Sequence, residues 1–372
     1  MILTEVTNST TDKNFINVPR EIYKDDPVWI CPLDVDIRAV FDPKKNSFHQ
    51  HGTCTRWVLQ SNDGKLIGRI AAFINDLKAY KTALPNGGVG FFECINNYQA
   101  AQLLFDTAKE WLEKQGMKEM IGPINFGEND NYWGLLTEGF TTPSYGMNYN
   151  PPYYKDFFDK YGFVTQYEQI TNHLDLTKPF PDRFTKIAEW VAKKPGYRFE
   201  YFRAKNIDQI ASNFIEIYND AWKDFDNFVP ITQPTVMDSL HKMKAIMDEK
   251  LIWFAYVNDE PAAFIVILPD ANQMIKSLKG KLDFFGKIKF AYNRWKGVPR
   301  MRAVVMGTKS AFQKHGLESA LFIKLKEYVI PQKKYTELEL SWVGDFNNKM
   351  RSVHEATGAT FGKKHVTMKK TF

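Results

Sequence analysis

Two stretches of the 372-residue chain, one in each half, follow the same order of predicted elements. In each, a strand is followed by a helix, a second strand, a short helix and a last strand. The short helices end at Gly162 and Gly358, and the last strands run through residues 164–176 and 362–369. The spacing of apolar residues, every second position in strands and every third or fourth in helices, supports these elements. An order that repeats in this way predicts two copies of one fold.

The length and composition of the chain fit two globular domains. Hydrophobic residues make up 44% of the chain and charged residues 25%, which is enough apolar material for two cores. A helical segment bracketed by prolines separates the halves, so we predict a first domain at 1–178, a connector at 179–196 and a second domain at 197–372. The predicted class is α/β (α+β).

The sequence gives no sign of export, of membrane spans or of a metal site. The N-terminus has no basic region followed by an apolar run, and no stretch approaches the roughly 18 apolar residues of a membrane-spanning helix. The three cysteines are not spaced as metal ligands, and His49 and His51 have no further ligands nearby. We therefore expect a cytoplasmic protein without a metal.

The sharpest chemical motif lies between residues 304 and 321. A predicted strand runs into a turn, and a helix begins near Gly316. The free N–H groups and the positive end of such a helix can bind a pyrophosphate, and glycine lets the backbone approach the anion. Lys314 adds a positive charge and Ser319 adds a hydroxyl.

This segment resembles the phosphate loop of the GNAT acyltransferase superfamily, Gln/Arg-x-x-Gly-x-Gly/Ala after the fourth strand. Gln313 and Gly316 match the first two positions, whereas Glu318 stands where glycine or alanine is expected. A carboxylate at that position lies close to where phosphates would bind.

A second stretch resembles the GNAT pattern Asn-x-x-Ala-x-x-x-Tyr-x-x-x-Gly-Phe. Asn347, His354 and Gly358 keep its spacing, with histidine in place of the tyrosine that commonly protonates the departing thiolate. Histidine can also donate a proton near neutral pH. His354 is therefore a candidate acid, and a packing or capping role in a short helix is the alternative.

The resemblance implies two tandem GNAT-like domains, each with a mixed, mostly antiparallel sheet flanked by helices, and an N-acyltransferase activity. It implies acetyl-CoA or a longer acyl-CoA as donor and a small-molecule amine as acceptor. A backbone N–H of Met306 or Gly307 would stabilise the oxyanion of the tetrahedral intermediate. The implied donor-binding residues are Val305, Met306, Gly307, Gln313, Lys314, His315, Gly316, Leu317, Ser319 and Asn347.

A base is needed to deprotonate the attacking ammonium group. Glu339 and Ser341 share one face of the predicted fifth strand of the second half, because side chains alternate along a strand. They are candidates for this role, and an ordinary solvated strand face explains them equally well.

The segment from residue 123 to residue 152 is rich in glycine, asparagine and aromatic residues and shows little periodicity. Within it, Glu128 and Asp130 could hold an amine cation, and Tyr132 and Trp133 could flank it. An ordinary packed loop is the alternative interpretation.

The first half repeats the element order without the site. Its loop after the strand at residues 88–94 contains neither glycine nor a basic residue, so a degenerate domain is predicted there. More narrowly, the chain is similar to a family of bacterial tandem GNAT proteins, a resemblance that implies no particular substrate. It rests on segments that begin at Gly90, Ile121, Gly139 and Asn150.

The net charge of +6 is concentrated in one insert. Residues 274–302 contain nine basic residues and one acidic residue, interleaved with large apolar residues. The favoured interpretation is a helical excursion whose apolar side covers the domain. A weak contact with an anionic membrane surface is the alternative, and no specific nucleic-acid motif accompanies the segment.

Two other functions are compatible with the same fold. One is a Fem-like transferase that takes its acyl group from aminoacyl-tRNA and needs no pyrophosphate loop. The other is a binding or membrane-surface module that has lost its chemistry, which Glu318 and the missing tyrosine would favour.

Overall fold

The strands and helices of a computed structural model follow the predicted repeat, and the structure describes residues 1–224 and 228–372. The strands are β1 Ile2–Glu5, β2 Gly52–Gln60, β3 Leu66–Asn75, β4 Asn86–Cys94, β5 Glu119–Gly122, β6 Leu135–Glu138, β7 Val164–Asp175, β8 Tyr197–Tyr201, β9 Ile252–Val257, β10 Glu260–Pro269, β11 Arg300–Thr308, β12 Glu337–Gly344 and β13 Thr360–Thr371. The helices are α1 Ser9–Ile22, α2 Asp34–Val40, α3 Asp76–Ala79, α4 Tyr98–Lys114, α5 Tyr154–Tyr161, α6 Asp182–Ala192, α7 Ile207–Trp222, α8 Gln233–Met243, α9 Ala271–Ile275, α10 Phe284–Lys296, α11 Leu317–Gln332 and α12 Asn348–Ala356.

Local sequence signals explain where several elements begin and end. The Asn97 side chain accepts a hydrogen bond from the Ala100 N–H and so caps the first turn of α4. Gly162 ends α5 with φ of 93°, a conformation that glycine adopts without strain. The β2–β3 hairpin turns through Gly64, also at positive φ.

The strands of the described residues form one 13-stranded sheet with the order β1-β2-β3-β4-β5-β13-β7-β12-β11-β10-β9-β8, and β6 pairs with β13. Among the strands of the described residues, only the pairs β4–β5 and β11–β12 are parallel, one in each half of the chain. The predicted fold class, a mixed and mostly antiparallel sheet repeated in two halves, is confirmed.

The last strands of the two halves are exchanged at the centre of the sheet. β13, from the second half, lies between β5 and β7, whereas β7, from the first half, lies between β13 and β12. The domain boundaries at 1–178, 179–196 and 197–372 remain a prediction. In the sheet, β13 from the second half pairs with β5 of the first, and β7 from the first half pairs with β12 of the second.

Helices cover both faces of the sheet. On one face, α4 and α5 pack on the strands of the first half, and α6 and α11 pack on those of the second. On the other face, α1 packs on the first half and α7 on the second. We call the latter the α1/α7 face. The segment from Pro123 to Asn150 crosses the centre of the α1/α7 face, over the exchanged strands.

In the described part of the chain, no helix has both the length and the apolar character needed to cross a membrane.

Candidate functional site

A gap in the sheet lies where β11 and β12 separate. The two strands pair in parallel from Arg300 opposite Glu337 to Ala303 opposite Leu340, and then both continue without further pairing to each other. Val304 is an extra residue relative to β10, because Ala303 and Val305 face consecutive residues of that strand. Such a bulge bends the strand and re-aims its backbone groups.

The side chains at this gap are half-buried, among them the predicted donor-binding residues Val305 and Met306. Gly307 follows them, and a Cβ there would lie 2.6 Å from the Trp222 ring. The backbone of β11 beyond Ala303 is therefore not paired with β12. An extended ligand with amide groups can pair with such a free strand edge.

The predicted phosphate loop joins β11 to α11. Lys314 and Gly316 both have left-handed backbone conformations, with φ of 69° and 76°, and α11 begins directly after Gly316. Within residues 1–224 and 228–372 no side chain caps this helix, so the N–H groups of its first turn, which includes Leu317 and Ser319, stay available for an anion.

Polar side chains surround the mouth of this loop. The Lys349 ammonium donates to the Gln313 amide oxygen at 2.9 Å, and the His315 Nδ1 lies 3.0 Å from the Tyr197 hydroxyl. Glu318, which departs from the GNAT pattern, accepts a hydrogen bond from the Thr308 hydroxyl at 2.7 Å. Its carboxylate is therefore held against the end of β11.

His354 lies on α12, on the face of the sheet opposite α7. Its side chain is buried, and its Nδ1 lies 3.2 Å from the side-chain nitrogen of Asn172 on β7. If that amide donates, the imidazole proton is on Nε2, an assignment from the hydrogen-bond geometry. Burial lowers the pKa of His354 to about 4, so the ring is neutral at pH 7. Asn347 caps the same helix by accepting from the Met350 N–H at 3.2 Å.

The low pKa of His354 gives a pH prediction for stability. An unfolded histidine titrates near pH 6.5, so the contribution of His354 is complete above about pH 6.5 and is lost as the pH falls towards 4. His354→Gln cannot take up the proton. From pH 7.5 to about 4 the variant should therefore lose about 3 kcal/mol less unfolding free energy than the wild type, as measured by urea denaturation. Parallel pH curves for the two proteins would contradict the assignment, and His241→Gln, at an exposed histidine, is the matched control.

The two candidate bases on β12 stay predictions, and both make close contacts within the sheet. Glu339 is fully buried, and its carboxylate lies 3.0 Å from the Lys363 ammonium of β13. Burial alone would raise its pKa, but Lys363, Arg302 and His173 lower it to about 2. A carboxylate with so low a pKa is a weak base at pH 7. The interpretation as a solvated strand face is wrong for Glu339.

Ser341 lies where the parallel ladder ends. Its hydroxyl donates to the Ala303 carbonyl of β11, with the Val304 carbonyl 3.3 Å away. It thus bridges the two strands just before they separate. These contacts do not favour Ser341 as a base.

The four predicted amine-binding residues have different surroundings. Glu128 is exposed and pairs with Lys78 at 3.4 Å, and Asp130 is exposed. Tyr132 packs against the Phe91 ring, 5.6 Å away between centroids. The Trp133 indole N–H donates to the Tyr167 and Thr367 hydroxyls of the exchanged strands, at 2.9 and 3.1 Å. The two aromatic residues thus anchor the segment to the sheet, and an amine-binding role stays a prediction.

Sequence reasoning missed a buried polar cluster in the first half. The Glu93 carboxylate on β4 accepts from the hydroxyls of Tyr23 and Tyr154, at 2.7 and 2.9 Å, and lies 3.4 Å from the Arg69 guanidinium. Burial raises the pKa of Glu93, with Arg69 opposing the effect. Arg69, Glu93 and Tyr154 line a cavity of about 80 Å³. Arg69 within the apolar run of β3 was the available signal, since a buried charge requires a partner.

Comparisons with known proteins give the relatives of the chain and of its fold. No family model matches the chain. The chain is 30% identical over 360 residues to the bacterial ceramide synthase of Caulobacter vibrioides (strain NA1000 / CB15N), covering 94% of this chain and 92% of that protein. It is 29% identical over 360 residues to protein YghO of Escherichia coli (strain K12), covering 95% and 90%.

Among solved structures, the chain is similar to a tandem GNAT protein from the clavulanic acid biosynthesis pathway. The TM-score is 0.59 at 12% identity, and the match covers 100% of this chain and 98% of that one. At this identity the likeness supports the fold alone, and the fold it supports is the tandem GNAT fold.

Proposed function

Because the chain belongs to the family that includes the bacterial ceramide synthase of Caulobacter vibrioides and has a tandem GNAT fold, we propose that it is an acyl-CoA-dependent N-acyltransferase. A ceramide is the amide of a fatty acid with a long-chain amino alcohol. We therefore propose a long-chain acyl-CoA as donor and the primary amine of a long-chain amino alcohol as acceptor. The observation that carries the proposal is the 30% sequence identity to the Caulobacter vibrioides protein, which extends over 94% of this chain and 92% of that protein.

The donor site of the proposal lies at the gap between β11 and β12. The pyrophosphate would accept hydrogen bonds from the first turn of α11, with Lys314 and Ser319 beside it. The pantetheine arm would lie along the free edge of β11, near Val305. The uncapped start of α11 and the early end of the parallel ladder support this placement, because β11 continues from Val304 to Thr308 without pairing to β12, and residues 309–316 then lead directly to the helix.

The chemical step needs a nucleophile, an oxyanion site and a proton for the leaving group. The neutral amine attacks the thioester carbonyl carbon, and the carbonyl oxygen becomes an oxyanion that accepts from the N–H of Met306 or Gly307. The carbonyl re-forms as the C–S bond breaks and CoA leaves as a thiolate, and the nitrogen loses one proton, which the thiolate takes up directly or through water to give the amide and free CoA. The neutral ring of His354 would act as a hydrogen-bond donor to the sulfur through Nε2, since a pKa of about 4 leaves little imidazolium at pH 7.

The direct test measures donor binding and product formation with the purified protein. Calorimetric titration should give micromolar binding of palmitoyl-CoA and weaker binding of acetyl-CoA, because only a long chain adds apolar contact. With palmitoyl-CoA and sphinganine together, mass spectrometry should detect the N-acyl product, and a thiol reagent should detect an equal amount of free CoA. No binding of either donor would contradict the acyl-CoA assignment. Binding and turnover with a hydrophilic amine but not with sphinganine would contradict only the proposed acceptor.

A further inference from the structure

The helix α10 exposes a continuous apolar face to solvent. The exposed fractions are 72% for Phe284, 72% for Phe285, 53% for Ile288, 58% for Tyr292 and 81% for Trp295. At 3.6 residues per turn these five side chains fall within an arc of about 100°. The prediction that the apolar side of the basic insert covers the domain is therefore wrong for this helix.

The opposite side of α10 attaches the helix to the protein. Phe290 packs on a buried cluster that contains Ile275 and Leu278, and the Asn293 side chain donates to the Met274 carbonyl at 2.7 Å. Gly286 is buried, and a Cβ there would lie 2.4 Å from the Lys281 carbonyl oxygen. Because these contacts fix the rotation of the helix, the exposed apolar face is a property of the fold.

Basic side chains flank the apolar face on both sides. On a helical wheel Lys289 and Lys296 lie beyond one edge of the arc, and Lys287 and Arg294 lie beyond the other. All four are exposed, and in residues 1–224 and 228–372 none of them has an acidic partner within salt-bridge distance. Asp283, the one acidic residue of the insert, caps α10 by accepting from the Gly286 N–H at 2.8 Å.

We propose that α10 lies flat on an anionic lipid bilayer and anchors the protein to it. Phe284, Phe285, Ile288, Tyr292 and Trp295 would enter the boundary between headgroups and acyl chains, where aromatic side chains are favourable. The flanking lysines and arginine would contact lipid phosphates, each adding to the attraction. This inference is independent of the acyl-transfer proposal.

The positive charge of α10 favours an anionic bilayer over a second copy of the chain as the partner of the apolar face. Two α10 helices packed face to face would bring two sets of four cations together, with no acidic residue on either helix to neutralise them. An anionic headgroup surface supplies the missing negative charge across the whole width of the helix. An apolar face with cations on both edges is also the pattern of helices that lie in the membrane interface.

The test is co-sedimentation of the full-length protein with vesicles. Binding is expected to phosphatidylcholine vesicles that contain phosphatidylglycerol. Binding to pure phosphatidylcholine should be at least about tenfold weaker, and high salt should weaken the anionic case. The triple variant Phe284→Ser, Phe285→Ser and Trp295→Ser should bind the anionic vesicles at least about tenfold more weakly, with an unchanged circular dichroism spectrum.

Trp190→Ser is the matched control, because Trp190 is 62% exposed on α6 and lies outside the proposed surface. It should bind vesicles as the wild type does. The proposal is overturned if the wild type does not bind anionic vesicles, or if the triple variant binds them equally well. It is also overturned if the wild type binds no vesicles and sediments as a dimer that the triple variant converts to a monomer, since α10 would then be a contact between copies.

Discussion

Replacing Lys363 with methionine should lower the free energy of unfolding by about 3–5 kcal/mol. The Lys363 ammonium and the Glu339 carboxylate lie 3.0 Å apart and are both fully buried, on β13 and β12, the two strands that flank β7. Without the lysine, the carboxylate would keep its charge in an apolar environment with less compensation from Arg302 and His173 alone. Urea denaturation at neutral pH measures the loss.

The double variant Lys363→Met and Glu339→Leu separates the charge from the packing. Removing both charged groups leaves no unpaired ion, so the double variant should recover most of the stability that the single variant loses. Losses that simply add in the double variant would show that the pair does not interact. A single variant as stable as the wild type would show that the buried carboxylate is not charged.

Replacing Ser319 with aspartate should weaken acyl-CoA binding by about 100-fold. A carboxylate in the first turn of α11, about 5 Å from a bound pyrophosphate, repels it by roughly 3 kcal/mol at an effective dielectric constant near 20, and each 1.4 kcal/mol is a factor of ten. The same charge is favourable for the helix itself, because it lies at the positive end. Calorimetry should therefore show lost binding in a protein whose melting temperature is unchanged or raised.

Ser319 is a cleaner position for this test than Gly316. A Cβ at Gly316 would lie 3.0 Å from Val191 on α6, and the residue has φ of 76°, so any substitution there also disturbs packing and backbone. Ser239→Asp, at an exposed position on α8, is the matched control and should bind acyl-CoA normally. Equal affinities of the wild type and Ser319→Asp for acyl-CoA would show that the pyrophosphate does not bind at the start of α11.

Local patterns made much of the fold predictable. The helical spacing in α4, the glycine at the end of α5 and the last strand of the first half, β7, each depend on neighbours a few residues away, and each of these elements was confirmed. The strand that carries Glu339 and Ser341 was predicted for the same reason, and it corresponds to β12. Signals of this kind identify an element without identifying what it pairs with.

Partners far apart in the sequence were not predictable. Lys363 and His173 lie 190 residues apart along the chain, and their meeting depends on the exchange of β7 and β13. A sequence that predicts two copies of one fold is equally compatible with two separate sheets, each of which keeps its own last strand. The sequence therefore does not show that Glu339 is buried in an ion pair. Its partner Lys363 lies on β13, which follows β12 in the chain and is separated from it in the sheet by β7.

The exchange of β7 and β13 also affects how the protein is made. β13 comes after every other strand in the chain, yet it occupies the centre of the sheet between β5 and β7. While the chain emerges from the ribosome, the first half can form β1 to β5, but β5 keeps an open edge until β13 has been synthesised. The sheet of the first half is therefore completed only after the last strand of the second half has been synthesised. A nascent chain halted before Thr360 would display two unpaired strand edges, which are the surfaces that chaperones and aggregation compete for.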